Sequence, residues 1–169
     1  MKVGLEDLEF VLGSTHDLIK GADTKISIFL AFLGVFVPFV YFPFLQFVFK
    51  YWLILDQVTF VLSELGFLIL ILTVLKAIWG IIPSLNKTKF PKSLIFFGEV
   101  AGMEFHAYKV AIGGWTKVQY REDLENQHYI NSKIASQKHN HFNDAVWLFL
   151  FSLTLDLACG LNLLFKNYA

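Results

Sequence analysis

The sequence predicts an all-α membrane protein: three transmembrane helices, with a small, mainly helical cytoplasmic domain between the second and third spans. Three observations predict it. Hydrophobic residues make up 56% of the 169, with 19 Phe, while charged residues are only 17%, against about 25% in an ordinary soluble domain. A chain this short has too much surface for its volume to hide that apolar content from water. The apolar residues are also gathered into three stretches, each near the roughly 20 residues a helix needs to cross a bilayer core. Finally, the basic residues are distributed unevenly about those stretches.

The leader, 1–25, reads as a cytoplasmic N-terminal helix. Leu5, Leu8, Leu12 and Ile19 fall on one face, with Glu6, Asp7, Glu9 and Asp17 elsewhere. Gly21 is its weak point. The leader has no small-residue cleavage site, so the next stretch is a retained span rather than a signal-peptide core. That stretch, 26–49, carries no charge. Pro38 and Pro43 are expected to kink its outer half, because proline removes a backbone donor and crowds the preceding turn.

The second span, 58–82, has Glu64 near one end and Lys76 near the other, where the lysine can snorkel to the interface. Trp79 suits an interfacial belt, and Pro83 suits a helix stop. Residues 83–144 form a cytoplasmic sensor and stalk region. It opens polar. Ser93 to Gly98 is then too short for a span and too apolar for exposure, and reads as a buried extended segment or short strand. A helix is expected over Glu99–Ala111, ended by Gly113 and Gly114. From about Trp115 to Asn143 a helical stalk follows, with Leu124, Gln127, Ile130 and Ile134 on one face. It runs without interruption into the third span, 145–165, which holds Asp156 and is bounded by Trp147 on one side and by Lys166 and Tyr168 on the other.

Eleven of the fourteen basic residues lie in the leader (Lys2, Lys20, Lys25) or between 83 and 143. Only Lys50 and Lys166 lie on the other side, with Lys76 inside a span. The positive-inside rule therefore places the N-terminus and the long loop in the cytoplasm and the C-terminus outside.

Several classes are excluded. Formal net charge is zero, so no nucleic-acid polymer is an expected partner. The lone Cys159 excludes an internal disulfide and a thiolate zinc cluster. No nucleophile elbow, phosphate-binding loop or zinc-protease motif is present, and no catalytic residue, enzyme activity, cofactor or metal site is expected. His16, His106, His128, His139 and His141 read as polar helix surface. Three ionisable residues lie within the apolar stretches: Glu64, Lys76 and Asp156. Such groups are expensive in hydrocarbon and commonly face a bundle interior or water path. Asp156, near mid-span, needs a polar partner. Three helices cannot enclose a wide pore, so a homo-oligomer is expected.

Four short elements carry a resemblance. Ala22-Asp23-Thr24-Lys25 opens directly into the first span. Phe96-Phe97-Gly98-Glu99-Val100-Ala101 lies in the loop. Tyr108 follows, and then Asp123 to Gln127 with Ile134 and Lys138. Their order and placement around the spans resemble the Pycsar effector family, the small transmembrane effectors of pyrimidine cyclase anti-phage defence. The first element is similar to an A-D-x-K-A pattern, with Ile26 at the usual small position. The second is similar to F-F-G-D-I, with Glu for Asp and Val for Ile.

The resemblance implies a sensor of a cyclic pyrimidine mononucleotide, cUMP or cCMP, supplied by a pyrimidine nucleotide cyclase during infection. Binding would disrupt the inner membrane and abort the infection. A cyclic phosphate requires one or two cations or backbone N–H groups, and a base requires an aromatic or apolar slot. The parts available for such a ligand are Asp23, Lys25, Phe97, Gly98, Glu99, Arg121, Lys133 and Lys138. The alternative for these lysines is that they only anchor the protein to anionic lipid. Two rival classes stand beside this reading: a constitutive ion channel or transporter subunit using Asp156 and Glu64, and a membrane scaffold that binds a protein partner.

Overall fold

The computed structural model describes residues 4–50, 57–82 and 93–168, the last three of these as backbone only. Lys2, Pro83, Lys87, Lys89 and Lys92 lie outside the described residues, as do the side chains of Lys166 and Tyr168. The described residues are all-helical, with no strand. The elements are α1 (Leu5–Phe36), a π-helical turn (Val37–Tyr41), α2 (Phe42–Lys50), α3 (Gln57–Ile81), α4 (Phe97–Val100), α5 (Phe105–Gly113) and α6 (Lys117–Tyr168). Three helical stretches are long and apolar enough to cross a membrane: Leu5–Lys50, Gln57–Ile81 and Lys117–Phe165.

The chain divides into two compact units. The first takes the chain up to Ala22 and the stretch ending at Gln137; the second takes Asp23–Ile82 and everything from Lys138 onward. α1 is unbroken at Gly21, where helical hydrogen bonding on both sides outweighs the roughly 1 kcal/mol that glycine costs a helix interior.

In the first unit, Gly4 N–H donates to the Asp7 carboxylate at 2.9 Å, which satisfies a free donor at the start of α1. α1 and α6 run parallel. Tyr120 Oη donates to Glu9 Oε1 at 2.6 Å, and two turns further along both helices Thr15 Oγ1 and His128 Nδ1 lie 3.0 Å apart. The Thr15 hydroxyl proton goes to Val11 O at 2.8 Å, so the imidazole is the donor to Thr15. α6 buries Leu124, Gln127, Asn131 and Ala135 here. The expected Leu124–Gln127 face is therefore present, but Asn131 and Ala135 rather than Ile130 and Ile134 are its most buried members.

The expectation of a strand over Ser93–Gly98 is corrected. Ser93 Oγ accepts the N–H groups of Ile95 and Phe96, at 3.1 and 2.9 Å. That turns the backbone straight into the single-turn α4, since a serine hydroxyl offers the chain local bonds that compete with an extended ladder. The expected helix over 99–111 is likewise two pieces, α4 and α5, with a break between Ala101 and Glu104.

The second unit packs α1, the π turn, α2, α3 and α6 in three apolar layers. Ile26, Ala77 and Ala145 form one. Leu33, Tyr41, Leu70 and Phe149 form the next, and Val48, Cys159 and Leu163 the last. The order of contacts makes α1–α2 parallel to α6 and antiparallel to α3. Phe149 is clasped edge-on by Phe29, Phe32 and Phe36, with ring centroids 5.7, 5.6 and 5.3 Å away, the arrangement aromatic quadrupoles favour.

α3 buries Thr59, Ser63, Gly66, Leu70, Thr73, Ala77 and Gly80. This stripe of mostly small residues recurs every three or four positions, while larger residues such as Phe60, Leu65, Leu68, Ile71 and Trp79 face outward. That is the pattern for a medium as apolar as leucine itself, where close backbone approach rather than hydrophobicity drives helix association. The expected distortion at Pro38 is present as the π turn: Phe42 N–H bonds back to Val37 O, with the proline at its start. Proline has no N–H for the α-helical ladder, and the wider turn accommodates its ring.

Candidate functional site

Three polar nodes stand out, one in the first unit and two in the second. The first is built around Ser93. Its hydroxyl donates to Asp123 Oδ2 at 3.0 Å, and the same carboxylate oxygen accepts Leu94 N–H at 3.0 Å. Glu99 accepts Ser93 N–H in a short hydrogen bond. Both acids thus satisfy backbone and hydroxyl donors of the turn. Gly98 makes room within it, since a Cβ there would sit 2.8 Å from Phe96 Cε1. The result presents Phe97 outward, 77% exposed. Asp123→Ala leaves two donors unpaired. It should destabilise the first unit by roughly 1–3 kcal/mol, read as an earlier loss of protease resistance at the Ser93–Phe96 turn, with wild-type resistance as the refuting result.

Along the first unit's part of α6, Arg121 Nε donates to Glu125 Oε1 at 2.9 Å, and Lys133 Nζ lies 4.5 Å over the Tyr129 ring. The bond from Tyr120 to Glu9 holds that phenol above its ordinary pKa.

The second node ties three helical elements together in the second unit. Lys138 is 8% exposed. Its ammonium donates to Asp23 Oδ1 at 2.5 Å, to Gly80 O at 3.1 Å and, more weakly, to Ile81 O at 3.5 Å. The two carbonyls close α3, so the lysine caps that C-terminus with the charge its dipole favours. Close packing surrounds it: a Cβ at Gly80 would meet Ile26 Cδ1 at 2.7 Å and His141 Cβ at 3.3 Å. Lys76 pairs with Asp144 at 3.0 Å, both partly exposed.

The third node lies deeper among the apolar layers. Ser152 Oγ donates to Gly66 O at 2.9 Å and lies 3.5 Å from Asp156 Oδ2. The Tyr41 phenol lies beside the Asp156 carboxylate. Further along, Cys159 Sγ donates to Thr59 O at 3.6 Å and Asn162 Nδ2 to Thr59 Oγ1 at 2.8 Å. Among the described residues no group of three or more His, Cys, Asp or Glu converges on a metal position.

The candidate ligand residues therefore fall into two sets. Phe97, Gly98, Glu99, Arg121 and Lys133 belong to the first unit. Asp23, Lys25 and Lys138 belong to the second, where Asp23 and Lys138 are bonded to each other and Lys25 is exposed. Sequence reasoning did not single out Ser93, Tyr41, Gly66, Gly80 or Ser152 as site residues. Small or aromatic residues in apolar stretches carry no charge signal. The serine two residues before the apolar Ile95–Phe97 run was the one visible hint, as a turn former.

No curated protein and no solved structure matches the chain. The Pycsar effector protein domain matches residues 7–165, which takes in all but the first two residues of the three apolar helical stretches and every candidate residue named above. The chain belongs to the Pycsar effector family and is a membrane effector of that anti-phage defence.

Proposed function

We propose that the protein senses cUMP or cCMP on the cytoplasmic face of the bacterial inner membrane and responds by breaching that membrane, which aborts infection. The observation that carries this reading is the family match across residues 7–165. Three helices suited to a bilayer support it. In this reading the N-terminus is cytoplasmic, the C-terminus is outside, the chain works as a homo-oligomer within the lipid bilayer, and its partner system contains a pyrimidine nucleotide cyclase.

The first unit is the proposed sensor. Phe97 offers an exposed aromatic face to stack on a pyrimidine, held by a turn whose own donors are satisfied. Arg121 and Lys133 are its cations for a cyclic phosphate, the guanidinium being the better geometric match. Asp23, Lys25 and Lys138 are proposed to relay or complete the response at the entry to the spans. A ligand acts only through a difference in affinity between two arrangements.

The test is dye release from liposomes carrying the purified protein. Release on adding cUMP or cCMP, and not 5′-UMP, is the expected result. Release without any nucleotide would favour a constitutive channel, and no release with either cyclic pyrimidine would favour a scaffold; each overturns the reading.

A further inference from the structure

Two exposed stripes of the first unit carry charge that nothing in the chain answers. On α1, Glu6, Phe10, Gly13 and Asp17 recur at steps of four, three and four residues, which sets them on one helix face. All four are exposed, Phe10 to 77%. From Gly4 to Asp17 the chain has four carboxylates and no lysine or arginine. On α5, Phe105, Lys109 and Ile112 share a face by the same spacing. They too are exposed, and α5 has no buried residue. Lys117 follows, exposed at the start of α6. From Phe105 to Val118 there is no Asp or Glu.

The two stripes are opposite in charge and alike in their apolar part. Among the described residues, the ion pairs join Lys76 to Asp144, Arg121 to Glu125 and Lys138 to Asp23; Glu6, Asp17, Lys109 and Lys117 take part in none. Gly13 is an independent sign. A glycine inside a helix costs about 1 kcal/mol relative to alanine. Gly66 and Gly80 recover that cost by close packing, whereas a Cβ at Gly13 would meet nothing within 4 Å. The room beside the Phe10 ring is used by nothing in the chain.

We propose that the acidic stripe of α1 in one copy docks on the basic stripe of α5 in a second copy of this chain. Both halves of the complementary pair are on every copy, so each copy uses both. Different faces meet, and a head-to-tail contact of this kind closes into a ring when its rotation closes. Copies inserted in one direction share an axis along the membrane normal, and a ring about that axis supplies the enclosure that three helices cannot. This inference deepens the homo-oligomer of the proposed function and rests on it. Its residues are separate from Phe97, Arg121 and Lys133 of the proposed sensor.

The test is the mass of the full chain in an uncharged detergent, by light scattering. Four samples are compared: wild type, Glu6→Lys with Asp17→Lys, Lys109→Glu with Lys117→Glu, and an equal mixture of the two variants. Wild type should be oligomeric. Each variant alone sets like charges face to face, and its dissociation constant should rise at least about tenfold. The mixture should reassemble, because the reversed α1 of one variant meets the reversed α5 of the other, and each unreversed stripe likewise finds its opposite. If a reversed variant does not accumulate, Gly13→Trp decides: it fills the open room without changing charge and should split the oligomer, and an intact oligomer overturns the proposal. A monomeric wild type overturns the homo-oligomer and this inference together. An oligomer that both charge variants retain, or a mixture that stays apart, overturns this interface alone and leaves the homo-oligomer to another face.

Discussion

Lys138→Met should lower the unfolding free energy of the protein by about 2–4 kcal/mol, toward the lower part of the range for removing one partner of a buried ion pair. The reason for the lower part is Asp23, whose side chain is 43% exposed and can recover water. Two further losses follow, because the Gly80 and Ile81 carbonyls at the end of α3 lose their donor and a buried unpaired acceptor is penalised. Asp23→Asn should cost less, since the ammonium keeps both carbonyls and an amide oxygen. Combining Asp23→Leu with Lys138→Met should recover part of the loss, and the double-mutant cycle measures how strongly the pair is coupled. Unfolding in mixed micelles with increasing dodecyl sulfate reads all three, and a Lys138→Met curve that overlays wild type would refute the role given to the pair. In the proposed function the same residue carries a second consequence. Lys138→Glu sets a carboxylate against Asp23 and two carbonyls, and should end nucleotide-triggered toxicity while the protein still inserts.

Gly66→Val should cost about 3 kcal/mol, the upper part of the usual range for overpacking. The added Cβ takes the position of Asp156 Oδ1. The aspartate cannot retreat without leaving Ser152, and Ser152 is bonded to the Gly66 carbonyl behind it. α3 and α6 must therefore separate or the carboxylate must turn toward lipid. The controls are in the same unit. Gly34→Val and Gly160→Val add a side chain where nothing lies within 4 Å, and should change stability by no more than about 0.5 kcal/mol, as surface substitutions do. The same micelle titration compares the three. A Gly66→Val protein as stable as the Gly34→Val one would show that the close approach of α3 to α6 is not what the structure describes.

The three apolar stretches were legible because length and the absence of charge suffice to find them, and neither depends on what a helix touches. The interior of the bundle was not. α3 is apolar all round, with its small residues inward, so hydropathy has no period to report. Lys138 and Asp23 were visible as charges, but a pairing across 115 positions leaves no local trace. The Ser93 turn was misread because Leu94, Ile95 and Phe96 look like material for a strand. What decided the outcome was one hydroxyl that satisfies two backbone donors and is held in turn by Asp123. Tyr41 was hidden for a different reason: it is one aromatic in an aromatic-rich stretch, and a helical wheel drawn at a constant angle misplaces everything after Pro38.

That misplacement has a mechanical meaning. The turn at Val37–Tyr41 closes its hydrogen bond one residue later than an α turn does, so it stores a single residue of phase within an otherwise continuous rod from Leu5 to Lys50. Tightening it to ordinary α geometry would break no helix. It would advance all of α2 by about 1.5 Å and rotate it by about 100°. Tyr41 would swing off the interior, and Val40 or Phe42, now outward, would take its place opposite Asp156. Such a tightening would move the rod by one step of a screw thread, with a proline marking where the thread changes pitch.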